Sequence, residues 1–344
     1  MTEVQRRANR KTGPSIHDVA RIAGVSAQTV SRVSTGSSSV RPETRERVLD
    51  AMQMIGYSPN RAARALRNGS FRTIGVITQR LERTGETLTA AAVMEALEEA
   101  DYTANLIQAH NPSSGDLRRA ARRLLDQSVD ALIVIRAGLV ALDSFGFPTD
   151  NTVVVSDSPL VSTYPSVIPD QISGTRDAVN HLLELGHKTV HHISGSSDSH
   201  PAIARSAAWR RTLEEAGVAA PPQWQGDWTP QSGYLIGRDI ARNPDVTAVF
   251  CANDEIAFGL MRALHEHGKR VPEDVSVVGF DNIALSEFSA PPLTTVSQDF
   301  AEIGRQLVQL TLDLLSPASA PTRTQIVIPT KLLVRGATAP PRVH

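Results

Sequence analysis

Ile16-His-Asp-Val-Ala-Arg-Ile-Ala-Gly-Val-Ser-Ala-Gln-Thr-Val-Ser-Arg-Val33 is the stretch whose reading decides the fold of the N-terminal region. Ser15, just ahead of it, can cap a helix. The apolar positions of that helix, Ile16, Val19, Ala20 and Ala23, fall on the i, i+3, i+4, i+7 stripe. Gly24 ends the helix, because a left-handed turn residue costs glycine little. Val25 can plug the angle between two helices. Ser26 caps the second, with Val30 and Val33 facing inward. Helix, glycine turn and helix within about 18 residues is the helix-turn-helix signature. A third helix is expected from Pro42, with Glu43 at its positive end. Its expected inner face is Val48, Leu49, Met52 and Ile55, and it stops near Gly56.

Charge supports this reading once it is divided along the chain. The 344 residues carry 35 Lys plus Arg and 36 Asp plus Glu, a formal charge of −1. Residues 1–72 hold thirteen bases and five acids, a net +8, which leaves −9 for the remainder. A small basic module on a larger acidic body is the footprint of a nucleic-acid binder. In a helix-turn-helix the second helix enters the major groove. Ala27, Gln28, Thr29 and Arg32 are therefore the candidate base readers. Gln28 can bond adenine bidentately, Arg32 guanine, and Ala27 can touch a thymine methyl. Ser26 and Ser31 suit phosphates. The competing reading is a small three-helix bundle that binds protein. The basic charge and polar helix tip speak against it.

The basic head resembles the lac repressor (LacI/GalR) family. The stretch above carries the resemblance, with Val40-Arg-Pro-Glu-Thr-Arg-Glu-Arg-Val48 and Gly56-Tyr-Ser-Pro-Asn-Arg-Ala-Ala-Arg-Ala-Leu66. It departs from the family at Ser34-Thr35, where Leu-Asn is commoner. Arg61–Leu66 is a good helix former but too short to be stable alone. The resemblance implies a hinge helix that forms on DNA, two copies pairing in the minor groove. It assigns DNA contacts to Asn60, Arg61, Ala63 and Leu66, with Leu66 as the wedge in a central base step.

From Thr73 onward, short apolar runs alternate with helical stretches. Ile74-Gly-Val-Ile77, Ala131-Leu-Ile-Val-Ile135, Ala248-Val-Phe250 and Val275-Ser-Val-Val-Gly279 are examples of the runs. Buried strands alternating with helices mean parallel sheets covered by helices. There are too many strands for one small sheet, so two similar lobes are expected, with a ligand at the strands' carboxyl ends. The family resemblance continues through Asp170-Gln-Ile-Ser-Gly174, Cys251-Ala-Asn-Asp-Glu-Ile-Ala-Phe-Gly259 and Val271–Asp281. The expected fold is an all-α helix-turn-helix head plus an α/β, two-lobed, periplasmic-binding-protein-like body with parallel sheets. The expected organisation is a basic arm 1–14, a helix-turn-helix domain 15–58 and a hinge and linker 59–72. A first effector subdomain takes 73–168 plus 299–325. A second, also dimerising, takes 169–298 plus 326–340.

Asp157, Asn253 and Asp281 each follow an apolar strand and are candidate ligand groups. Asp254 reads as the N-cap of the next helix. By resemblance, Arg205 is the inducer-binding arginine, Trp228 the pocket tryptophan, and Gln298 and Phe300 belong to the crossover after the last core strand. Carboxylates and amides pair with vicinal hydroxyls, Arg offers a fork, and an indole covers an apolar sugar face. In the first lobe Gln79 opens the charged stretch Gln79-Arg-Leu-Glu-Arg83. That stretch, and Arg136, suit hydroxyls or an anionic substituent.

The expectation is thus a DNA-binding repressor controlled by a small, carbohydrate-like effector. A purine or sugar-phosphate corepressor is the alternative. One head per half-site implies a homodimer on near-palindromic operator DNA. No nucleophile–base pair, phosphate loop, cofactor or metal motif is convincing, so an enzyme is not expected. Cys251, the only cysteine, excludes intramolecular disulfides. No run reaches the ~18 apolar residues a bilayer needs, and no secretory signal is recognisable. A cytoplasmic address follows, against an exported binding protein. No leucine heptads follow Lys331-Leu-Leu-Val-Arg-Gly336, so no tetramerising helix is expected.

Overall fold

The computed structural model describes residues 13–35, 37–58, 69–109, 114–135, 152–158, 164–316 and 324–342. The chain divides into two compact units, Met1–Phe71 and Arg72–His344. The hinge residues Asn60, Arg61, Ala63 and Leu66, and Arg136 in the body, lie outside the described residues.

In the first unit, α1 runs Ile16–Ala23, α2 Ala27–Ser34 and α3 Pro42–Ile55. Ser15 and Asp18 form a reciprocal capping box, and Gly24 ends α1 at φ 66. Both devices satisfy helix-end groups that otherwise lack partners. Val19, Val30 and Val48, one from each helix, are fully buried at the centre. One expectation fails in α3. Leu49 is exposed and Ala51 takes its place in the core. Val48, Ala51, Met52 and Ile55 keep the i, i+3, i+4, i+7 stripe, whereas Leu49 lies about 100° round the helix from Val48.

The second unit holds two six-stranded sheets. The first combines β1 (Thr73–Thr78), β2 (Thr103–Gln108), β3 (Ala131–Val134), β4 (Val153–Ser156), β5 (Ser166–Pro169) and β11 (Gln325–Ile328). Their order is β11-β5-β4-β3-β1-β2, and every pairing is parallel. The second combines β6 (His191–Ser194), β7 (Trp224–Gln225), β8 (Ala248–Cys251), β9 (Ser276–Asp281), β10 (Thr294–Ser297) and β12 (Lys331–Leu333). Its order is β12-β10-β9-β8-β6-β7, parallel except for β10 with β12. In both sheets the strand order reverses beside the lobe's first strand. Such a switch point opens a crevice at the strands' carboxyl ends.

Helices cover the sheets: α4 (Thr84–Glu99), α5 (Ser114–Asp126) and α11 (Phe300–Leu315) in the first lobe, α6 (Gln171–Glu184), α7 (His200–Glu215), α8 (Pro230–Ile240), α9 (Asp254–Glu266) and α10 (Leu285–Phe288) in the second. The chain crosses between lobes after β5, after β10 and after β11. The third crossing corrects the expected boundary, which gave residues 326–340 to the second lobe. Residues 325–328 pair with β5, and Ile328 is buried in the first lobe's core. That core needs an apolar edge strand beyond β5, and Ile326 and Ile328 supply it.

Helices α8 and α9 meet through glycines. A Cβ on Gly259 would stand 1.9 Å from the Pro230 carbonyl oxygen, and one on Gly233 would stand 2.1 Å from that of Ile256. The obstacle is backbone, which cannot swing aside. Gly259→Ala is therefore expected to destabilise the second unit by about 1–3 kcal/mol or more. Urea unfolding, read as a lower midpoint at unchanged slope, checks it.

Candidate functional site

In the first unit, Ser26 caps α2, its hydroxyl accepting from the Thr29 amide at 3.1 Å and lying 3.0 Å from the Thr29 hydroxyl. The cap fixes the first turn and leaves Gln28 and, one turn on, Arg32 exposed. Ala27, Thr29 and Ser31 are half-buried between them. Of the expected contacts, Gln28 and Arg32 thus have the freest side chains. Ser26 and Thr29 spend part of their hydrogen-bonding capacity on the helix end.

In the second unit, the expected effector residues gather between the lobes in two adjoining cavities. Arg205, Trp228, Asn253 and Asp281 line one of about 350 Å³. Gln79 and Asp157 line the other, of about 390 Å³. Each sits at a strand's carboxyl end or in the helix or loop beside it. Phe300 lines neither. It packs against the first lobe's core, because α11 begins there and turns its first apolar side chain inward. Gln298 also stands behind the wall, buried, where it serves Asp281.

Arg205 is almost completely buried and fully engaged. Its Nε donates to Gln171 Oε1 at 2.6 Å, one terminal nitrogen to the Ala252 carbonyl, and the other to Asp281 Oδ1 at 3.3 Å. The guanidinium carbon lies 3.6 Å from the Phe280 ring centroid. Gln171 Nε2 donates to Gln298 Oε1 at 3.3 Å, and Gln298 Nε2 to Asp281 Oδ1 at 2.5 Å. Arg205, Gln171, Gln298 and Asp281 thus close a ring of hydrogen bonds. Gln171 follows the first lobe crossing and Gln298 stands at the second.

Trp228 adopts a left-handed φ of 79. Asn253 Nδ2 holds its carbonyl at 3.1 Å. Gly195 lies flat beneath the indole, where a Cβ would meet the ring at 2.3 Å. The indole Nε1 is buried without a hydrogen-bond partner, a donor pointed where a ligand acceptor can reach it. Asn253, not Asp254, is the N-cap of α9. Its Oδ1 accepts from the Ile256 amide at 3.0 Å, and its Nδ2 also donates to Glu255 at 2.7 Å. Asn253 therefore shapes the wall and positions Trp228, with little capacity left for a ligand. The strand runs straight into the helix, so the first residue outside it takes the capping role.

Asp254 instead turns into the lobe. It accepts from the Ile283 amide, Ser286 and Thr295 at 2.9, 2.6 and 2.5 Å. Burial, with Asp281 nearby, pushes its carboxyl up to about 7. His192 behaves oppositely: burial lowers it to about 4, with Nδ1 donating to the Phe250 carbonyl and Nε2 accepting from Ser206. The two pH effects have opposite sign. The contribution of Asp254 is complete below the unfolded carboxyl value of about 4 and is lost as pH rises through about 7. That of His192 is present above 6.5 and is lost as pH falls towards about 4. Denaturation midpoints between pH 5 and 7.5 should show this: Asp254→Asn flattens the decline on the alkaline side, His192→Gln the decline on the acid side.

Sequence reasoning missed several wall residues. Glu255 lies in the first turn of α9. Burial raises its carboxyl, with Asp281 adding to the effect, while Thr84 of the opposite lobe donates to it. Asp198 bridges the cleft to Arg83 at 3.7 Å and Arg80 at 3.8 Å. The Ser196 hydroxyl and both guanidinium groups hold Asp198 below the usual carboxylate range. Glu86 is buried and accepts from the Gln79 and Arg80 amides at 3.3 and 2.8 Å. Helix α4 begins five residues before the expected Thr89, which brings Thr84 and Glu86 to the cleft. No cluster able to hold a metal ion occurs among the described residues, and none of their helices is long and apolar enough to cross a membrane.

A helix-turn-helix unit followed by a two-lobed body with a small-molecule-sized cleft defines a DNA-binding transcriptional regulator. Comparisons with known proteins give its family. The model of bacterial regulatory proteins of the lacI family matches residues 15–60, and that of the periplasmic binding protein-like domain matches 179–338. The HTH-type transcriptional repressor PurR of Haemophilus influenzae is 34% identical over 314 residues, 88% of this chain and 91% of that protein. The lac repressor dimer bound to operator and the anti-inducer ONPF is similar at TM-score 0.85 and 32% identity, covering 95% of this chain and 100% of that one. A complex of the transcriptional regulator CelR with cellobiose is similar at TM-score 0.70 and 30% identity, covering 94% and 99%. The chain belongs to the LacI/GalR family and is a DNA-binding transcriptional repressor, not an enzyme.

Proposed function

We propose that this repressor works as a homodimer on a near-palindromic operator, with its affinity set by a small, hydroxyl-rich, uncharged effector held between the lobes. The observation that carries this reading is the ring formed by Arg205, Asp281, Gln171 and Gln298. It borders the cleft at Arg205 and Asp281 and reaches two lobe crossings at Gln171 and Gln298. A ligand that hydrogen-bonds Arg205 and Asp281 competes with the ring's own bonds. It thereby favours one lobe arrangement over another, the differential affinity that any ligand-driven shift requires.

Charge speaks for a neutral ligand. The smaller cavity carries three guanidinium groups against five carboxyls. Arg205 is paired with Asp281, and Arg80 and Arg83 with Asp198. A phosphate would add negative charge to an already acidic wall whose cations are committed. Hydroxyls can both donate to carboxyls and accept from guanidinium groups, and Trp228 can cover an apolar sugar face. A purine-like corepressor is the second reading. It is favoured by the flat indole with its buried donor and by the similarity to the PurR repressors.

The test is operator binding by gel shift with sugars, purines and sugar phosphates in turn. Weaker binding with a neutral sugar is the expected result. Tighter binding with a purine selects the corepressor reading, and a response to sugar phosphates alone overturns the argument from charge.

A further inference from the structure

The second cavity differs in chemistry from the first. Trp228, Arg205 and Asp281 make the smaller cavity a place for a hydroxylated ring. The adjoining cavity of about 390 Å³ shares Arg83, Glu86 and Ser199 with it, so the two spaces meet along one seam. Beyond the seam the wall turns apolar, with Ile168, Pro169, Ile172, Pro201, Ala204 and Val327. Ile172 is 59% and Val327 48% exposed, although both stand beside a buried core. Neither is needed to close the lobe's own core, and leaving such side chains in water forfeits burial free energy. Gln171 belongs to this second cavity and to the Arg205 ring. A group seated there can therefore act on the same ring as one seated against Trp228.

We propose that the larger cavity is a separate subsite for the less polar half of a two-part effector. The effector is then a glycoside: a hydroxylated ring against Trp228, joined through its glycosidic bond to a less polar ring or chain against Ile172 and Val327. The junction passes Arg83, which is tethered to Asp198 at 3.7 Å with its guanidinium 6.0 Å from the Trp228 ring centroid. Aryl glycosides and nucleosides share this chemistry. The inference rests on the reading of the smaller cavity as the effector site.

The experiment uses the full chain and thermal-shift titrations with three groups of probes. These are glucose, galactose and ribose; phenyl-β-glucoside and phenyl-β-galactoside; and adenine and hypoxanthine with their ribonucleosides. At least one phenyl glycoside or nucleoside is expected to bind about tenfold more tightly than its parent sugar or base, the gain from burying one apolar group. Val327→Trp and Ile172→Trp, which fill the larger cavity from exposed positions, should remove that gain and leave binding of the parent compound unchanged. Trp228→Ala should weaken both. Equal affinity for glycosides and parent compounds, or a gain that survives both tryptophan variants, overturns the subsite but not the effector site. A free base that binds as tightly as its nucleoside, while no sugar or glycoside binds, overturns the subsite and selects the corepressor reading. No shift with any probe overturns both.

Discussion

Arg205→Ala is expected to abolish the effector response and to lower the stability of the second unit by about 3–5 kcal/mol, the usual cost of stripping one partner from a buried ion pair. Asp281 would be left inside the lobe with Gln298 as its remaining side-chain donor, and Phe280 would lose the guanidinium stacked on it. Gln171 would lose its strongest bond and with it the link between pocket and crossing. Arg205→Lys separates the two effects. It restores a charge but not the three-way fork, so part of the stability should return while the ligand response does not. Urea unfolding reports the first quantity. Operator gel shifts with an effector found by the probe screen report the second. An Arg205→Ala protein that still releases or tightens on DNA with effector would remove the ring from the mechanism.

Gln28→Ala and Arg32→Ala are expected to weaken operator binding by about ten- to a hundredfold each, from the loss of a bidentate base contact worth about 1–3 kcal/mol. Both side chains are exposed, so the unit's fold should be unaffected. The signature is specificity. Binding to an operator selected from random duplexes should fall far more than binding to nonspecific DNA. Gln28→Ala should leave the salt dependence of affinity unchanged, since it removes no phosphate contact. Equal losses on specific and nonspecific DNA would assign these residues to the backbone instead of the bases.

Much of this molecule is legible in local patterns. Ser15, Gly24, Ser26 and Gly56 mark helix ends by side-chain capping or left-handed backbone, both properties of a few adjacent residues. The apolar runs of β1, β3, β8 and β9 read as buried parallel strands for an equally local reason. Leu49 is the instructive miss, since apolarity alone cannot say which side of a stripe meets a neighbouring helix. Asn253 and Asp254 are another. Adjacent acceptors both suit a cap, and only the path of the chain from β8 into α9 makes one the cap and turns the other inward.

The cleft divides along the same line. Strand-end positions and family resemblance bring out Arg205, Trp228 and Asp281. Glu255, Asp198, Glu86 and Gln171 carry no local signal, because their roles arise from partners distant in sequence: Thr84 for Glu255, Arg80 and Arg83 for Asp198, Arg205 for Gln171.

By itself, the sequence determined the helix-turn-helix, the alternating α/β body and the division of a formal charge of −1 into a basic head and an acidic remainder. These follow from periodicity, capping and composition, each a property of neighbours in the chain. Only the tertiary structure decided that residues 325–328 return to the first sheet, that Phe300 faces the core, and that a hydrogen-bonded ring joins Arg205 to two lobe crossings. Those are long-range pairings. The free energy that selects them comes from burying an edge strand and from satisfying a buried charge, and no short window of sequence contains both partners.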